Sequence, residues 1–364
     1  MKEKILKKNY LTRMTTNTLS LPTPTSISFV WNMGFLLGIA LIIQIITGLV
    51  LSINYTPATR LAFESVVHII RDIDSGWIVR YIHINGASLF FILLYLHIAR
   101  GVYFNSPMKQ PMTWMSGVII ILLSMASAFM GYVLPWGQIS YWGATVITRI
   151  ISAIPYIGGS IVIWLWGGFA VSQPTLNRFF SLHFLLPLVL ITIVILHLTL
   201  LHEKGSSNPT GTNPDIDKIK FFPYFIVKDL SSIGLTAILL IVLVTTRPNL
   251  LGDVENFNIV RTSSTPIHIQ PEWYFLFAYA ILRAVPSKLG GVSAIAASIL
   301  IYLLLVIKKN KINKKFSPAN KIVFYTWVSS VIILTWLGSN PIEEPFTILS
   351  KLISTIYFIL RVLL

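Results

Sequence analysis

Long apolar runs alternate with short polar ones along the whole chain. Eight runs stand out, at 30–53, 77–104, 113–134, 176–202, 229–246, 289–308, 321–340 and 347–363. Each is close to the ~20 residues an α-helix needs to cross the hydrocarbon of a bilayer. Only helices and closed barrels satisfy their backbone in lipid, and these runs neither alternate strictly nor match barrel-strand length. The pattern therefore predicts an all-α fold, a polytopic membrane helix bundle of about eight transmembrane helices. The first run begins too late, and is too long, for a signal peptide. Three units are expected: a basic, Thr-rich tail at 1–26 outside the bilayer, a four-helix domain at 27–210, and a C-terminal domain of four transmembrane helices at 211–364. Two connections are too long for simple links: 135–175, with Pro135, Pro155, Gly158, Gly159 and Pro174, and 247–288, from Arg247-Pro248 to Pro286. Long ordered connections are often functional.

Composition narrows the picture. The 364 residues are 54% hydrophobic and 11% charged, with a mean hydropathy of +0.74. A soluble domain carries about 25% charged residues, and apolar content this high excludes disorder as well. The absence of cysteine removes disulfides, thiolate zinc sites, cysteine-ligated iron–sulfur clusters and thioether-attached haem. A net charge of +15 raises nucleic acid as a partner. The basic residues, however, fall in short segments between apolar runs, which is topology signal, so no nucleic acid is expected. Eight spans put both termini on one side, and 18 of the 28 Lys and Arg lie there. That bias places the termini in the cytoplasm or in a mitochondrial matrix.

Four of the seven histidines form two pairs within spans. His83 and His97 are 14 apart on span two, and His183 and His197 are 14 apart on span four. Fourteen residues is close to four helical turns, so each pair shares one face with its members about 21 Å apart. If spans two and four pack side by side antiparallel, residues near the same surface meet. His83 then faces His183, and His97 faces His197. Two opposed imidazole pairs suit two stacked flat cofactors, and haem iron accepts axial histidine between bundle helices. Gly34 and Gly48 on span one are also 14 apart, as are Gly117 and Gly131 on span three. Glycine admits a flat ligand close to the backbone. A single such glycine is equally explained by helix packing, and a single histidine by a proton relay or interhelical hydrogen bond. Haem propionates need cationic or polar partners near the surfaces. Arg80 and Arg100 lie about a turn outside His83 and His97, and Trp31, Asn32, Ser106 and Trp114 are further donors near His97. The competing account of the arginines is snorkelling.

With these positions in view, the chain resembles the cytochrome b family, the haem-carrying subunit of quinol:cytochrome c reductase (respiratory complex III). The carrying motifs are Arg80-Tyr81-Ile82-His83-Ile84-Asn85-Gly86, His97-Ile98-Ala99-Arg100-Gly101, the run from Gly131-Tyr132 through Pro135-Trp136-Gly137 to Gly143-Ala144-Thr145, and Pro271-Glu272-Trp273-Tyr274. The likeness runs from about residue 27 to the end; the basic tail matches no usable pattern. It implies two non-covalent b-type haems, a low-potential one held by His83 and His183 near the outer face and a high-potential one held by His97 and His197 near the inner. It implies ubiquinol and ubiquinone as substrates at an outer and an inner site. The unbroken chain and the spacing of 14 favour the respiratory branch over the split chloroplast relative.

At the outer site the resemblance makes Glu272 a proton acceptor, with Pro271, Tyr132, Gly143, Tyr279, Phe129 and Phe275 lining the pocket. Read alone, Pro271-Glu272 suits the start of a short helix. At the inner site it makes His202 and Asp229 proton donors, with Lys228 and Ser206 assisting; His202 by itself reads as an interfacial histidine. A Q cycle follows, with electrons from quinol divided between a partner and the haems. The implied partners are the Rieske iron–sulfur protein, cytochrome c1 and other complex III subunits, membrane lipids, and a second copy of the complex in a homodimer. Lys288 and the 135–160 hairpin belong to the implied docking surface. The implied location is the mitochondrial inner membrane with both termini in the matrix, a bacterial plasma membrane being the alternative. Two rival classes share some features: a haem-bearing reductase of ferric iron or oxygen, which needs neither Pro271-Glu272-Trp273-Tyr274 nor the Gly131–Gly143 segment, and a transporter using the histidines as a proton relay, which binds no haem.

Overall fold

The computed structural model describes residues 20–210, 213–307 and 317–364. Most of the predicted tail, residues 1–19, lies outside the described residues, as does residue 308 at the end of the sixth predicted span. Among the described residues twelve α-helices longer than one turn organise the fold: α1 Met33–Asn54, α2 Ala62–Arg71, α3 Gly76–Tyr103, α4 Pro111–Val133, α5 Gln138–Ile150, α6 Gly158–Trp166, α7 Gln173–Lys204, α8 Tyr224–Thr246, α9 Leu276–Ala284, α10 Lys288–Ile307, α11 Pro318–Gly338 and α12 Phe346–Leu363. Among the described residues eight of these are long and apolar enough to cross a membrane: α1, α3, α4, α7, α8, α10, α11 and α12.

Local signals set the ends. Pro111 starts α4 where its missing N–H costs nothing. Ser172 and Thr175 form a capping box at α7 with Pro174 in its first turn. This moves the helix start three residues ahead of the apolar run. α8 likewise begins at Tyr224, ahead of its run, because the polar Lys228 and Asp229 are carried inside the helix. The only regular sheet among the described residues pairs β1 (Pro22–Pro24) antiparallel with β2 (Lys218–Lys220). The chain just before α1 is thereby tied to the connection before α8, reinforced by Phe221 N–H donating to the Leu21 carbonyl at 3.0 Å and by Thr25 with Asp217.

The exterior is apolar, and small polar residues share the interior with the apolar core. Ser88, Ser116, Ser124, Ser127, Ser232, Ser298, Ser330, Ser350 and Ser354 are buried, whereas Leu185, Leu188, Ile195, Ile238, Leu239 and Ile332 are exposed. Lipid rewards apolar exteriors, and small residues let helices approach closely. α1 packs on α3, and α4 on α7. α3 and α7 face each other across the space between, and both descend from the same side. They are parallel, not antiparallel as expected, because each enters from the same end of the bundle; the histidine order 83–183 and 97–197 is unaffected.

The short helix α9 fills the junction of the two halves. Just ahead of it, Tyr274 stacks on Phe91 of α3 with ring centres 4.2 Å apart and planes 5° apart. Tyr95 of α3 donates to the Tyr274 carbonyl, and the Trp273 indole donates to Ser88 Oγ at 3.1 Å. The Pro271-Glu272-Trp273-Tyr274 segment is thus bolted to α3, the same helix that carries His83 and His97. Phe91→Ala removes the platform under Tyr274. It is expected to cost about 3–5 kcal/mol, read as a fall in thermal midpoint in detergent; an unchanged midpoint would show that the stack contributes nothing.

Candidate functional site

The two histidine pairs meet as the 14-residue spacing requires. The ring centres of His83 and His183 are 6.2 Å apart, and those of His97 and His197 are 6.5 Å apart. Two imidazoles that each bind one metal through Nε2 at ~2.0 Å have their ring centres about 6 Å apart, so either gap admits a single six-coordinate iron and no more.

Neighbouring helices supply the tautomer. Thr47 Oγ1 donates to the Ile43 carbonyl at 2.6 Å and lies 2.9 Å from His83 Nδ1. Ser116 Oγ donates to the Thr113 carbonyl at 2.8 Å and lies 2.8 Å from His197 Nδ1. A hydroxyl has one proton. Given to a carbonyl, it leaves the oxygen to accept from the imidazole, so Nδ1 carries hydrogen and Nε2 presents a lone pair. His183 Nδ1–H donates directly to the Ser127 carbonyl at 2.8 Å. This is how proteins orient histidine toward a metal. At His97 the contact to Nδ1 is the Arg100 guanidinium at 3.3 Å.

The four glycines sit one against each histidine. A Cβ placed on Gly34 would lie 3.2 Å from His97 Cε1, on Gly48 3.1 Å from His83 Cε1, on Gly117 3.4 Å from His197 Cε1, and on Gly131 2.4 Å from His183 Cε1. Beside the outer pair lies a cavity of about 360 Å³ bounded by Gly48, Arg80, His83, Gly131, His183 and Glu272. Pro187, also on its wall, has no N–H to give the His183 carbonyl four residues earlier. At the inner pair, Arg100 Nε and the Trp31 indole N–H are buried without partners, and the Arg100 guanidinium lies 5.3 Å above the Trp31 ring. Unsatisfied buried donors of this kind suit an acidic group such as a propionate. The donor set at three of the four histidines, the gaps, the glycine clearances and these orphan donors fit haem.

Two expected inner donors are engaged elsewhere. The Trp114 indole donates to the Tyr302 carbonyl at 2.9 Å, because α10 packs across α4. Asn32 Nδ2 donates to the Lys228 carbonyl at 2.9 Å, joining the start of α1 to α8. Ser106 opens a one-turn helix, Ser106–Lys109, ahead of α4.

Glu272 is 8% exposed, and its Oε1 has no partner. Burial pushes its carboxyl up to about 7, partly offset by the Tyr132 hydroxyl hydrogen bond. It borders both the large cavity and a small one walled by Phe129, Tyr132, Gly143, Pro271 and Phe275. No atom comes within 4 Å of a Cβ built on Gly143. Tyr279 is set apart from that wall: its hydroxyl donates to the Ile269 carbonyl at 3.4 Å, and Arg283 lies 5.2 Å over its ring. On the inner side, Asp229 is 9% exposed, whereas His202 is exposed on the last turn of α7. Lys228 Nζ donates to the Ile27 carbonyl at 3.1 Å. Ser206 lies just past the end of α7. Thr47, Ser116 and Ser127 are site residues that sequence reasoning missed. The available signal was a hydroxyl residue directly before a predicted glycine, as in Thr47-Gly48 and Ser116-Gly117.

Comparison with known proteins agrees with this geometry. Residues 18–205 match the family model described as Cytochrome b/b6/petB, and residues 260–358 match Cytochrome b(C-terminal)/b6/petD. A chain of a solved structure titled "Hyperthermophilic respiratory Complex III" superposes with a TM-score of 0.92 at 31% identity, covering 100% of this chain and 97% of that one.

Gly131→Ala is expected to force the His183 ring aside, at a cost of about 1–3 kcal/mol, and to weaken pigment held by the outer pair. Gly143→Ala, which meets open space, is expected to leave pigment content unchanged. Equal pigment in both, measured by absorbance, would contradict the clearance assignment.

Proposed function

The chain belongs to the cytochrome b/b6 family and is a multi-pass membrane electron-transfer subunit of the complex III type; from that premise we propose that it holds two b-type haems and works at two quinone sites on opposite membrane faces. The observation that carries this reading is the pair of opposed imidazoles at each level, with a neighbouring helix fixing the tautomer of three of the four. Haem bound at each pair supplies a one-electron carrier, giving a path through most of the bilayer.

The residues do the positioning and the proton work. His83 with His183, and His97 with His197, would hold the two haems. Arg100 and Trp31 would bind acidic groups of the inner haem, and Arg80 those of the outer one. At the outer site Phe129, Tyr132, Pro271 and Phe275 pack a quinol ring, Gly143 leaves room for it, and Glu272 takes a proton from a quinol hydroxyl. The raised proton affinity of Glu272 is suited to this: ionised near neutrality, it can accept, and the acquired proton is held loosely enough to leave. At the inner site Asp229 and His202 give protons to the reduced quinone, Lys228 and Ser206 fix its carbonyls, and Tyr279 supports the outer pocket through the Ile269 carbonyl. Residues 27–210 form the haem unit and 211–364 complete the quinone sites. With no cysteine in the chain, the iron–sulfur acceptor is a separate Rieske subunit, accompanied by cytochrome c1 and a second copy of the complex. The exposed apolar faces of α7 and α8 provide surface for such contacts and for lipid. The location proposed is the mitochondrial inner membrane with both termini in the matrix.

Replacing any one axial histidine by leucine is expected to remove the haem at that level from the purified protein; a variant retaining two haems contradicts the ligand assignment. Glu272→Gln is expected to slow quinol oxidation about 10²-fold. The proton acceptor is the ionised form, so the wild-type rate should rise with pH through about 7, and that limb should vanish in the variant. A Gln variant with the same pH profile would remove Glu272 from this role. Asp229→Asn should slow quinone reduction at the inner face with outer-site oxidation kept, and unchanged inner-face kinetics would exclude it.

A further inference from the structure

Arg361, in the last turn of α12, is 1% exposed. Its Nε, Nη1 and Nη2 all lack a hydrogen-bond partner. The two ion pairs found among the described residues, His68–Asp72 and Lys218–Asp215, do not involve it. Its guanidinium carbon lies 3.9 Å from the ring centre of Tyr302 on α10 and 4.7 Å from that of Trp327 on α11. Three of the four C-terminal spans therefore converge on one cation. Around it the Trp327 indole N–H is itself unpaired, and the Tyr357 hydroxyl donates to the Ser298 carbonyl at 2.9 Å. The ring faces attract the guanidinium through their quadrupoles, which solvates the charge without cancelling it. An arginine cannot shed its proton in a protein.

This charge is linked to the inner histidine pair through Tyr302 and Trp114. The Tyr302 carbonyl accepts the Trp114 indole N–H at 2.9 Å, and the two rings are 6.3 Å apart. Trp114 lies on α4 three residues before Gly117, which faces His197, and its ring lies against Gly101, four residues past His97. Between Arg361 and the inner pair stand two aromatic rings, with no carboxylate bonded to the cation. Charges separated by apolar side chains interact far more strongly than in water. The outer pair lies about four helical turns further along the same helices.

Building on the two-haem reading above, we propose that Arg361 is a fixed positive charge that tunes the inner haem, favouring its reduced state over that of the outer haem. An added electron is stabilised by a nearby cation, so the sign is set: removing the charge makes the inner haem harder to reduce. Arg361 touches neither haem nor quinone and acts through the field alone.

The test is a spectroscopic redox titration of the assembled complex carrying Arg361→Met or Arg361→Lys. Methionine keeps an unbranched apolar stem, and replacing a buried unpaired charge with an apolar group does not weaken packing. The inner-to-outer electron partition is expected to fall about threefold to tenfold in Arg361→Met and to stay near wild type in Arg361→Lys. A partition unmoved in Arg361→Met, with two haems present, or one that falls equally in Arg361→Lys, overturns the inference and leaves Arg361 a packing clamp only. Wild-type protein with fewer than two haems overturns the two-haem reading itself, and the inference with it.

Discussion

An imidazole inside a bilayer has no water to complete its hydrogen bonding, so both of its nitrogens must be provided for by the protein or by what it binds. The N-terminal half answers this at three histidines in one way. A hydroxyl or carbonyl on the adjacent helix takes the Nδ1 hydrogen, through Thr47, Ser116 or Ser127, and Nε2 is left facing its opposite number. The remaining geometry follows from that constraint. The helices bearing histidines run parallel, the helices bearing glycines lie against them, and the 14-residue repeat keeps the two levels in step. At His97 the Arg100 guanidinium occupies the Nδ1 side while its Nε is unpaired. That is an incomplete arrangement which an acidic edge of a bound cofactor would complete.

The span pattern and the histidine–glycine arithmetic were legible because helix period and bilayer thickness act locally along the chain. All eight membrane-length helices lie within a few residues of the apolar runs. Orientation was harder. The expectation of antiparallel spans two and four failed because direction is set by counting connections, not by depth. The hydroxyl partners were missed because Thr47 and Ser116 look like ordinary small helix residues until the neighbouring helix is in place. Trp114 shows the converse. Its position near His97 was readable, but the Tyr302 carbonyl that takes its N–H lies 188 residues away. Pairing of Pro22–Pro24 with Lys218–Lys220 was likewise invisible to any local pattern.

The second half of the chain braces the first. Tyr274 on Phe91 and Trp273 on Ser88 fix Glu272 against α3, so one carboxylate borders both the outer histidine cavity and the small aromatic pocket. The polar face of α12, Ser350, Ser354, Tyr357 and Arg361, is turned inward. A membrane helix that hides its charge in the bundle keeps lipid contact apolar and places that charge where the dielectric is low.

The central claim is that each level of facing imidazoles grips one iron porphyrin. It is tested most directly by the haem-to-protein ratio of the purified chain, taken with its reduced-minus-oxidised spectrum. Two acid-extractable haems per chain, both in the bis-histidine low-spin form, are expected. A colourless protein, or a ratio of one with all four histidines intact, would contradict it.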